Sequence, residues 1–436
     1  MQAVKIGLIG LGTVGSGTLE ILQRNSREIA GRAGREISVK RIAVKDISKP
    51  RSVDTTGIEI SEDPMSVVDD PEIDIVVELI GGDGVARDVV LRAIENGKHV
   101  VTANKALIAL HGNEIFQLAQ TKGLMVAFEA AVAGGIPIIK ALREGLSANR
   151  IEWLAGIING TCNYILTRME QDGLDFNEVL QDAQSLGYAE ADPTFDIEGI
   201  DAAHKLTILA SIAFGIPLQF NEVYIEGITG ITIDDIRYAR ELGFRIKHLG
   251  IARRKDKGIE LRVHPAMVPM DRLIANVNGV MNAALVQADA VGPTLYYGAG
   301  AGAEPTGSAV VADIIDVVRA LTTDPDNHVP HLAFQPGALA QLPIIPMGDI
   351  ETAYYLRMKV INRPGVLAAI TRIFGDCGIS IETILQKGHE AGNGEVSIII
   401  LTQQALESQV MGAIKSVEAL DTVTSKITAI RLENLA

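Results

Sequence analysis

A short glycine pattern near the N-terminus limits the folds that this chain can adopt. The stretch VKIGLIGLGTVGSG places Gly10, Gly12 and Gly15 in G-x-G-x-x-G register, after an apolar run and at the start of a helical segment. Glycine there permits a tight turn, close approach of the backbone to a pyrophosphate, and close packing of helix on strand. The helix N-terminus would face the phosphates, with Thr13 and Val14 in its first turn. We therefore expect a dinucleotide site here.

Apolar runs alternate with helical segments over about the first 130 residues. The runs IDIVVELI (73–80), HVVTA (99–103) and LMVAFEA (124–130) are nearly continuous in their hydrophobicity, as expected of strands buried on both faces. Such strands separated by helices indicate α/β class, with a parallel, doubly wound sheet. In this context the glycine pattern predicts a Rossmann domain over residues 1–136; a glycine-rich turn without a ligand is the alternative.

The remaining sequence predicts further domains. Helices and then strand-rich sequence indicate an α+β domain over 137–299. A glycine-rich turn runs into a helix within 300–322, which we expect to pack back onto the first domain. Prolines are frequent in 323–351, which is typical of an extended linker. Residues 352–432 follow the order β-α-β-β-α-β of a ferredoxin-like unit.

Composition excludes several classes of function. The net charge of −15 disfavours nucleic acid or an anionic membrane as a partner, because both require concentrated positive charge. Cys162 and Cys377 are the only cysteines and have no CxxC spacing, which suits a reducing cytoplasm. No apolar run approaches the length of a membrane span, about 18 residues. None of the eight histidines forms an HxxxH or HxH pair, so we expect no catalytic transition metal.

The end of the second predicted strand, VKDISKPR, offers both determinants of cofactor choice. An acidic residue there binds the ribose hydroxyls of NAD, whereas a basic residue binds the 2′-phosphate of NADP. Asp46 could serve the first role, while Lys45, Lys49 and Arg51 favour NADP. NAD stays an alternative, as does a solvated basic loop without a ligand.

A lysine lies near the start of a very apolar predicted helix, GIDAAHKLTILASIAFG (199–215). Asp201 and Lys205 are four residues apart and therefore lie one turn apart on one helix face. By themselves these residues favour a surface ion pair, with the side chain of Lys205 reaching out to water.

Several stretches, in order along essentially the whole chain, resemble homoserine dehydrogenases. They are NKALIALHG, EAAVAGGIP, GIINGTCNYIL, LGYAEADPTFDIEGIDAAHKL and GAGAGAEPTGSAVVADI. The C-terminal unit, with NRPGVLA, resembles an ACT regulatory domain, and there is no room for the aspartate kinase found in fused relatives. The resemblance implies reversible, NAD(P)-dependent hydride transfer between L-aspartate 4-semialdehyde and L-homoserine, a step of threonine, methionine and isoleucine biosynthesis. It also implies a cytoplasmic homodimer or homotetramer, with substrate binding and dimerisation in the middle domain.

The resemblance changes the interpretation of the apolar helix. It implies that Lys205 is the catalytic lysine, that Lys105 is a second lysine near cofactor and substrate, and that Asp201 holds substrate and lysine. A lysine exchanges protons near neutral pH only if its pKa is lowered, which apolar burial and a second ammonium would achieve. Glu190 matches a substrate-binding carboxylate. Asp196 would support it, or would only cap a helix.

Further positions follow from the same resemblance. Gly187 would lie near the nicotinamide, and Gly302 lies in a turn that closes over the cofactor in the family. A monovalent cation, sodium more than potassium, would be surrounded by oxygen atoms only, as suits a hard and weakly bound ion. Its ligands would be the side chain of Glu129 and the backbone carbonyls of Val132, Gly134 and Ile136. A plain glycine-rich turn is the alternative.

The ACT unit implies an amino-acid effector, threonine or a similar molecule, bound between two paired copies. Its turn comprises Asn362, Pro364, Gly365 and Val366. Asn362 stands where many ACT domains have Asp, which weakens the expectation of the common binding pattern, and a unit used only for assembly is the alternative. Cys162 replaces a hydroxyl residue of the family and would make the enzyme sensitive to thiol reagents if it lay beside the substrate.

Two other functions stay open at this stage. A non-catalytic nucleotide or amino-acid sensor would keep the cofactor fold, but it would have little need for both Lys105 and Lys205. A dehydrogenase of another small amino acid would share all of this machinery.

Overall fold

The computed structural model describes residues 3–386 and 394–435. The strands are β1 (Val4–Ile9), β2 (Ile37–Ala43), β3 (Glu59–Ser61), β4 (Ile75–Glu78), β5 (His99–Thr102), β6 (Val126–Ala127), β7 (Ile151–Ile157), β8 (Tyr224–Ile225), β9 (Phe244–Lys255), β10 (Gly258–Pro269), β11 (Met281–Ala288), β12 (Gly292–Ala299), β13 (Glu351–Ile361), β14 (Ile381–Gln386), β15 (Glu395–Thr402), β16 (Ala405–Leu406) and β17 (Thr428–Leu432). The α-helices are α1 (Thr13–Arg24), α2 (Ser26–Ala33), α3 (Met65–Val68), α4 (Gly84–Glu95), α5 (Lys105–Thr121), α6 (Ile138–Lys140), α7 (Gly160–Asp172), α8 (Phe176–Ser185), α9 (Thr194–Ile197), α10 (Ile200–Phe214), α11 (Ile233–Glu241), α12 (Ala303–Ala320), α13 (Val366–Asp376) and α14 (Glu407–Glu418). A π-helical turn, Ala141–Gly145, follows α6. Short 3-10 helices lie in several loops: Glu129–Ala131, Phe220–Glu222, Leu273–Asn276, Pro325–Asn327, Pro336–Ala338 and Met347–Asp349. None of the helices in these described ranges is both long and apolar enough to cross a membrane.

The chain divides into two compact units. The first unit comprises residues 1–160, 201–223 and 281–342, and the second comprises the remainder, including the C-terminal module. This division runs across the domain limits expected from the sequence, because the segment 137–299 contributes to both units. Those domain limits therefore stay a prediction.

A parallel sheet forms the centre of the first unit. Its strand order is β3-β2-β1-β4-β5-β6, and every neighbouring pair is parallel. The strands β1 and β4 are almost entirely buried, as their continuous hydrophobicity predicts. The order reverses between β1 and β4, which is where ligands bind in folds of this kind. The predicted doubly wound α/β fold is therefore confirmed.

The helix α12 packs on α1 with the two backbones almost in contact. A Cβ atom at Gly17 would lie 2.2 Å from the carbonyl oxygen of Ala303, and one at Gly307 would lie 2.8 Å from the amide nitrogen of Thr18. Apolar side chains of α12, such as Val310 and Ile314, complete the core beneath β1. The first unit also contains an antiparallel group in the order β12-β11-β7.

The proline-rich segment following α12 lies against α5 and does not extend freely. The ring of His331 stacks on Phe116 at a centroid distance of 4.9 Å, and its Nε2 accepts a hydrogen bond from the amide of Val126. Burial lowers the pKa of His331 to about 3, so that the ring is neutral. A cavity of about 690 Å³ between α5 and this segment is lined by none of the predicted site residues.

The second unit is built on one mixed sheet in the order β9-β10-β17-β13-β15-β14. The C-terminal module has the predicted order β-α-β-β-α-β, formed by β13, α13, β14, β15, α14 and β17. Its last strand, β17, runs parallel to β10 and antiparallel to β13. Side chains of the module, including Tyr355 and Ile399, share a hydrophobic core with helices α7, α8 and α11. The predicted ferredoxin-like class of the module is confirmed.

Candidate active site

Two lysines meet at one carboxylate in the first unit. The Nζ atom of Lys205 lies 2.7 Å from Oδ2 of Asp201, and the Nζ atom of Lys105 lies 2.9 Å from Oδ1. Lys205 also donates to the carbonyl oxygen of Ile158 at 2.7 Å. Lysines that are 100 positions apart in sequence thus share one counterion, as the predicted site requires.

The shared carboxylate is buried and charged. Asp201 is 2% exposed, whereas the side chain of Lys205 is 11% exposed and that of Lys105 is 35% exposed. Burial alone would raise the pKa of Asp201, but the charges and hydrogen bonds of Lys205 and Lys105 outweigh it and hold the pKa well below its ordinary value. The surface ion pair that the helix alone suggested is therefore wrong.

Neighbouring elements fix the two lysines in place. The side chain of Asn104 caps α5 by accepting from the amide of Leu107 at 3.0 Å, so that the helix begins at Lys105. The amide of Asn159, just beyond the end of β7, donates to Oδ2 of Asp201 at 2.8 Å. Neither Asn104 nor Asn159 was predicted from the sequence to have a role. Each is a polar residue two positions beyond the end of a buried strand, where the chain enters a helix, but that position does not reveal a contact with Asp201 or a lysine.

The turn after β1 has the geometry of a phosphate cradle. Gly10 has a φ of +102°, which favours glycine. A Cβ at Gly15 would lie 2.2 Å from the Gly10 carbonyl oxygen, so only glycine permits this close packing. A Cβ at Gly12 would meet nothing within 4 Å, and α1 begins at Thr13 with Val14 in its first turn. The open side of the turn and the helix N-terminus together fit a pyrophosphate.

The adjacent strand end carries a buried carboxylate that the sequence analysis did not identify. Glu78 is fully buried at the end of β4, and Oε2 accepts from the hydroxyl of Thr102 at 2.6 Å. Its Oε1 accepts from the amides of Ile80 and Gly81. Glu78 thereby orders the loop beside Gly10, whose Cβ would lie 2.7 Å from the carbonyl oxygen of Leu79. A charged residue inside an apolar strand was the available signal.

The residues predicted to choose between NAD and NADP follow β2. Lys45, Asp46 and Lys49 are exposed. The hydroxyl and the amide of Ser48 hold the pKa of Asp46 below its ordinary value, and Arg51 donates to the Asp46 carbonyl oxygen. Both determinants are therefore present at the surface of this loop.

The second glycine-rich turn leads into α12. Gly302 is the N-terminal cap of that helix with a φ of +127°, a conformation that other residues rarely adopt. Gly134 lies against this turn, since a Cβ there would be 2.5 Å from the Gly300 carbonyl oxygen.

The residues predicted to hold the cation lie in the loop before α6. Both oxygens of Glu129, which is 1% exposed, accept backbone hydrogen bonds: from Ile139 at 2.9 Å and Lys140 at 2.8 Å. Burial raises the pKa of Glu129. Val132, 0% exposed, and Ile136, 2% exposed, are also buried. A cation coordinated here would offset the cost of burying the carboxylate, so the oxygen set fits such an ion.

Three predicted residues belong to the second unit. Gly187 and Glu190 are exposed, and Gly187 has a φ of +75°. Asp196 lies in α9, with Oδ2 3.4 Å from the hydroxyl of Thr161. The same hydroxyl donates to the carbonyl oxygen of Tyr188 at 2.7 Å, so Thr161 links Asp196 to the loop that follows Gly187. The roles of Gly187, Glu190 and Asp196 stay predictions.

Cys162 and the ACT turn also lie in the second unit. Cys162 is fully buried and its thiol donates to the Asp196 carbonyl oxygen at 3.2 Å, as expected of a small core residue. The turn between β13 and α13 carries Asn362, whose backbone N–H donates to the Gly394 carbonyl oxygen at 2.8 Å. Pro364 is exposed, Gly365 has a φ of +91°, and Val366 is buried at the start of α13.

Comparison with known proteins agrees with this geometry. Residues 10–129 match the family model described as "Homoserine dehydrogenase, NAD binding domain", residues 137–315 match "Homoserine dehydrogenase", and residues 354–419 match "ACT domain". The homoserine dehydrogenase of Pseudomonas aeruginosa is 62% identical over 436 residues, which covers 100% of both chains.

Solved structures give the same result. The crystal structure of a homoserine dehydrogenase from Thiobacillus denitrificans has a TM-score of 0.96 and 63% identity, and it covers 100% of this chain and 99% of that one. A hyperthermophilic archaeal homoserine dehydrogenase in complex with NADPH has a TM-score of 0.62 and 28% identity, over 72% of this chain and 98% of that one. The chain therefore belongs to the homoserine dehydrogenase family and is an NAD(P)-dependent oxidoreductase.

Proposed function

We propose that the enzyme reversibly reduces L-aspartate 4-semialdehyde to L-homoserine, as a step in threonine, methionine and isoleucine biosynthesis. The observation that carries this proposal is the buried Lys105–Asp201–Lys205 cluster in the unit that also holds the phosphate cradle. When bound, the nicotinamide cofactor supplies the hydride in reduction and accepts it in oxidation.

Lys205 is the group that exchanges a proton with the substrate oxygen. Among the described residues, its ammonium group donates to the Ile158 carbonyl and to Asp201, which leaves a third hydrogen for the substrate. During reduction this hydrogen passes to the aldehyde oxygen as that oxygen gains charge, and the reverse transfer occurs during oxidation. Lys105 adds positive charge that stabilises the developing alkoxide. Asp201 holds both ammonium groups in place.

The other predicted residues complete this proposal. Glu190, supported by Asp196, binds the α-ammonium group of the substrate, and Gly187 lies near the nicotinamide. The cradle of Gly10, Gly12 and Gly15 holds the pyrophosphate, with Gly302 at the turn over the cofactor.

Replacement of Lys205 by alanine tests the assignment. Cofactor oxidation is followed at 340 nm with aspartate semialdehyde, for wild type, Lys205→Ala and Lys205→Arg. We expect kcat to fall by about 10²- to 10⁴-fold in Lys205→Ala, the usual contribution of general acid–base catalysis. Cofactor affinity should be unchanged, because Lys205 is not part of the cradle. Full activity of Lys205→Ala, or activity of the wild type only with another small amino-acid aldehyde, would exclude the proposal.

We propose a preference for NADP over NAD. The support is the exposed positive charge of Lys45 and Lys49 after β2, where a 2′-phosphate would lie. The double variant Lys45→Gln/Lys49→Gln should raise the KM for NADPH and leave the KM for NADH unchanged. An equal increase in both KM values, or a lower wild-type KM for NADH, would contradict this preference.

We also propose a monovalent cation, sodium, at Glu129 and the carbonyls of Val132, Gly134 and Ile136. The support is the buried carboxylate of Glu129, whose pKa burial raises even though two backbone amides and the charges of Lys140 and Arg143 act to lower it. The ion would stiffen the loop between β6 and α6 and take no part in the chemistry. Dialysis against tetramethylammonium chloride should lower Tm, and sodium chloride should restore it more effectively than potassium chloride. Equal Tm values in all three salts would exclude the cation and would indicate that Glu129 only accepts hydrogen bonds from the amides at the start of α6.

We propose that threonine, or a similar amino acid, regulates the enzyme by binding to the ACT turn, which comprises Asn362, Pro364, Gly365 and Val366. The support is the match of residues 354–419 to the ACT family. Inhibition requires that the effector prefers one of two arrangements of the enzyme. Titration of threonine to millimolar concentration without a change in activity would exclude threonine as the effector.

We propose that the enzyme is a cytoplasmic homodimer or homotetramer. Tyr297 on the edge strand β12 is 58% exposed, and a second copy could cover it. Neither Cys162 nor Cys377 forms a disulfide in the described part of the chain, which suits a reducing compartment. Light scattering at micromolar concentration measures the molar mass of the assembly. The molar mass of a monomer would contradict the proposed homodimer or homotetramer.

A further inference from the structure

A buried amide on β11 has no hydrogen-bond partner in the described part of the chain. Asn282 is 1% exposed, and neither its Nδ2 nor its Oδ1 has a partner there. Buried polar side chains are normally hydrogen-bonded, and an unpartnered one costs free energy. The next two residues, Ala283 and Ala284, are small and apolar, so the local sequence gives no packing reason for an amide. Asn282 therefore calls for a functional explanation.

The amide lies directly against the second glycine-rich turn. A Cβ atom at Gly300 would lie 2.2 Å from Cγ and 2.4 Å from Oδ1 of Asn282, so the amide fills the space that a side chain at Gly300 would take. The turn also lies against Gly134, where a Cβ atom would be 2.5 Å from the Gly300 carbonyl oxygen. The turn leads to Gly302, the cap of α12, and the carbonyl oxygen of Ala303 lies against Gly17 of the cradle helix α1. Asn282 thus contacts the segment that connects to the cofactor cradle.

The strand of Asn282 pairs with the strand that leads to the backbone acceptor of Lys205. Ala283, the next residue on β11, pairs with Ile157 of β7. Ile158, which follows Ile157, carries the carbonyl that accepts the hydrogen bond from Lys205. Asn282 itself pairs with Gly298 of β12, at the start of the glycine-rich turn. A shift of the glycine-rich turn relative to β7 would therefore change the surroundings of Asn282.

We propose that Asn282 is a positioning residue for the turn Gly300–Gly302. In the cofactor-bound enzyme its amide donates to, and accepts from, the backbone of this turn and holds the turn over the cofactor. Glycines at 298, 300 and 302 give the turn the freedom to make that adjustment. This inference depends on the proposed role of Gly302 at the cofactor. These hydrogen bonds would satisfy a buried amide that has no other partner in the described part of the chain, and they would therefore favour the cofactor-bound arrangement of the turn.

The Asn282→Leu variant separates this role from a purely structural one. Leucine has nearly the same shape as asparagine and removes both unpartnered polar atoms, so the ligand-free Tm should stay equal or increase. The Kd for NADPH, measured by fluorescence titration, should increase about 10-fold, which corresponds to about 1.4 kcal/mol. The KM for NADPH should increase in parallel, with a smaller change in kcat.

Asn163→Leu is the matched control. Asn163 is equally buried, but its Nδ2 donates to the carbonyls of Val277 and Gly279 and its Oδ1 accepts from Lys247. This variant should lower the ligand-free Tm by several degrees because it leaves buried partners unsatisfied.

Two results would overturn the inference. One is a decrease in ligand-free Tm for Asn282→Leu as large as that for Asn163→Leu, which would show that the amide stabilises the free enzyme. The other is an unchanged Kd for NADPH. Asn282→Ala provides the same affinity measurement if the leucine variant does not fold. Failure of the proposed function is distinguishable, because it would appear as absent NADPH binding or activity in the wild type.

Discussion

Replacing Asp201 by asparagine tests the electrostatic basis of the site. The variant keeps the size of the side chain and removes the one charge that Lys105 and Lys205 share. The amide of Asn159 also loses a charged acceptor, since it donates to Oδ2. Two ammonium groups then face each other across a neutral amide in a buried place.

The loss of stability can be estimated from the burial of each partner. Breaking a buried ion pair by removing one member typically costs about 3–5 kcal/mol. Lys205 cannot easily reach water because its side chain is 11% exposed. The side chain of Lys105 is 35% exposed, so it can turn outward into water and reduce the cost of losing its counterion. We therefore take the lower limit, about 3 kcal/mol, which corresponds to a decrease in Tm of about 6–12 °C for a unit of this size.

The pH dependence gives a second test with a definite sign. The folded pKa of Asp201 is lower than its unfolded value of about 3.9, because Lys205 and Lys105 overcome the effect of burial. The unfolded chain therefore binds the proton first as pH falls, so the stabilisation is complete above that unfolded value and is lost below it. The difference in Tm between wild type and variant should be constant from about pH 8 to pH 5 and should shrink below about pH 4.

The assay is thermal unfolding from pH 3 to pH 8, with Asp234→Asn as the control. Asp234 forms an exposed pair with Arg237 at 3.5 Å, and its loss should change stability by less than about 0.5 kcal/mol. The kcat of Asp201→Asn should fall by at least about 100-fold, because Lys205 is no longer held. An Asp201→Asn variant as stable as wild type at pH 7, or a Tm difference that persists unchanged at pH 3, would refute the shared-counterion account.

Further expectations concern the cradle, a buried histidine and a buried arginine. Gly12→Ala should fold normally and weaken NADPH binding, whereas Gly15→Ala should lower Tm, because its Cβ would overlap the Gly10 carbonyl; titration and unfolding measure both. His331 has a pKa of about 3 in the folded protein, so the unfolded chain binds its proton first and the free energy of unfolding falls as pH decreases from about 6.5 toward 4. In His331→Phe the Tm should depend less on pH over that interval. Arg262→Met should cost about 3 kcal/mol in denaturant unfolding, since it removes the buried partner of Glu260 and Glu433 and leaves them only the longer pairs with Lys255 and Arg253.

The parallel sheet was predictable because its signal is local. Each of the buried strands β1, β4 and β5 is a continuous apolar run, and each is followed by a polar or glycine-rich entry to a helix. The helical spacing of Asp201 and Lys205 likewise brought those two side chains together without further information.

The convergence of Lys105 with Lys205 could not be read from spacing. The two residues lie on different helices, α5 and α10, and only the way that these helices pack decides their separation. Residue patterns alone favoured a solvated ion pair, and the family resemblance was needed to bring the lysines together. Asn159 and Asn282 were missed for a related reason. Their importance depends on contacts with Asp201 and Gly300, which are distant in sequence and leave no local trace.

The C-terminal module is integrated into the second unit through buried charge as well as through strand pairing. Arg262 on β10 is fully buried and paired with Glu433, which follows β17, while Arg431 on β17 pairs with Glu407 at the start of α14. Buried pairs of this kind add little net stability but penalise any shift in register, because a shift would leave a charge without its partner. The strands β10 and β17 also pair directly, through Ala266 with Arg431 and Met267 with Leu432. A ligand that moved β13 or β17 would therefore move β10 with them, and β10 is a strand of the segment that matches the homoserine dehydrogenase family.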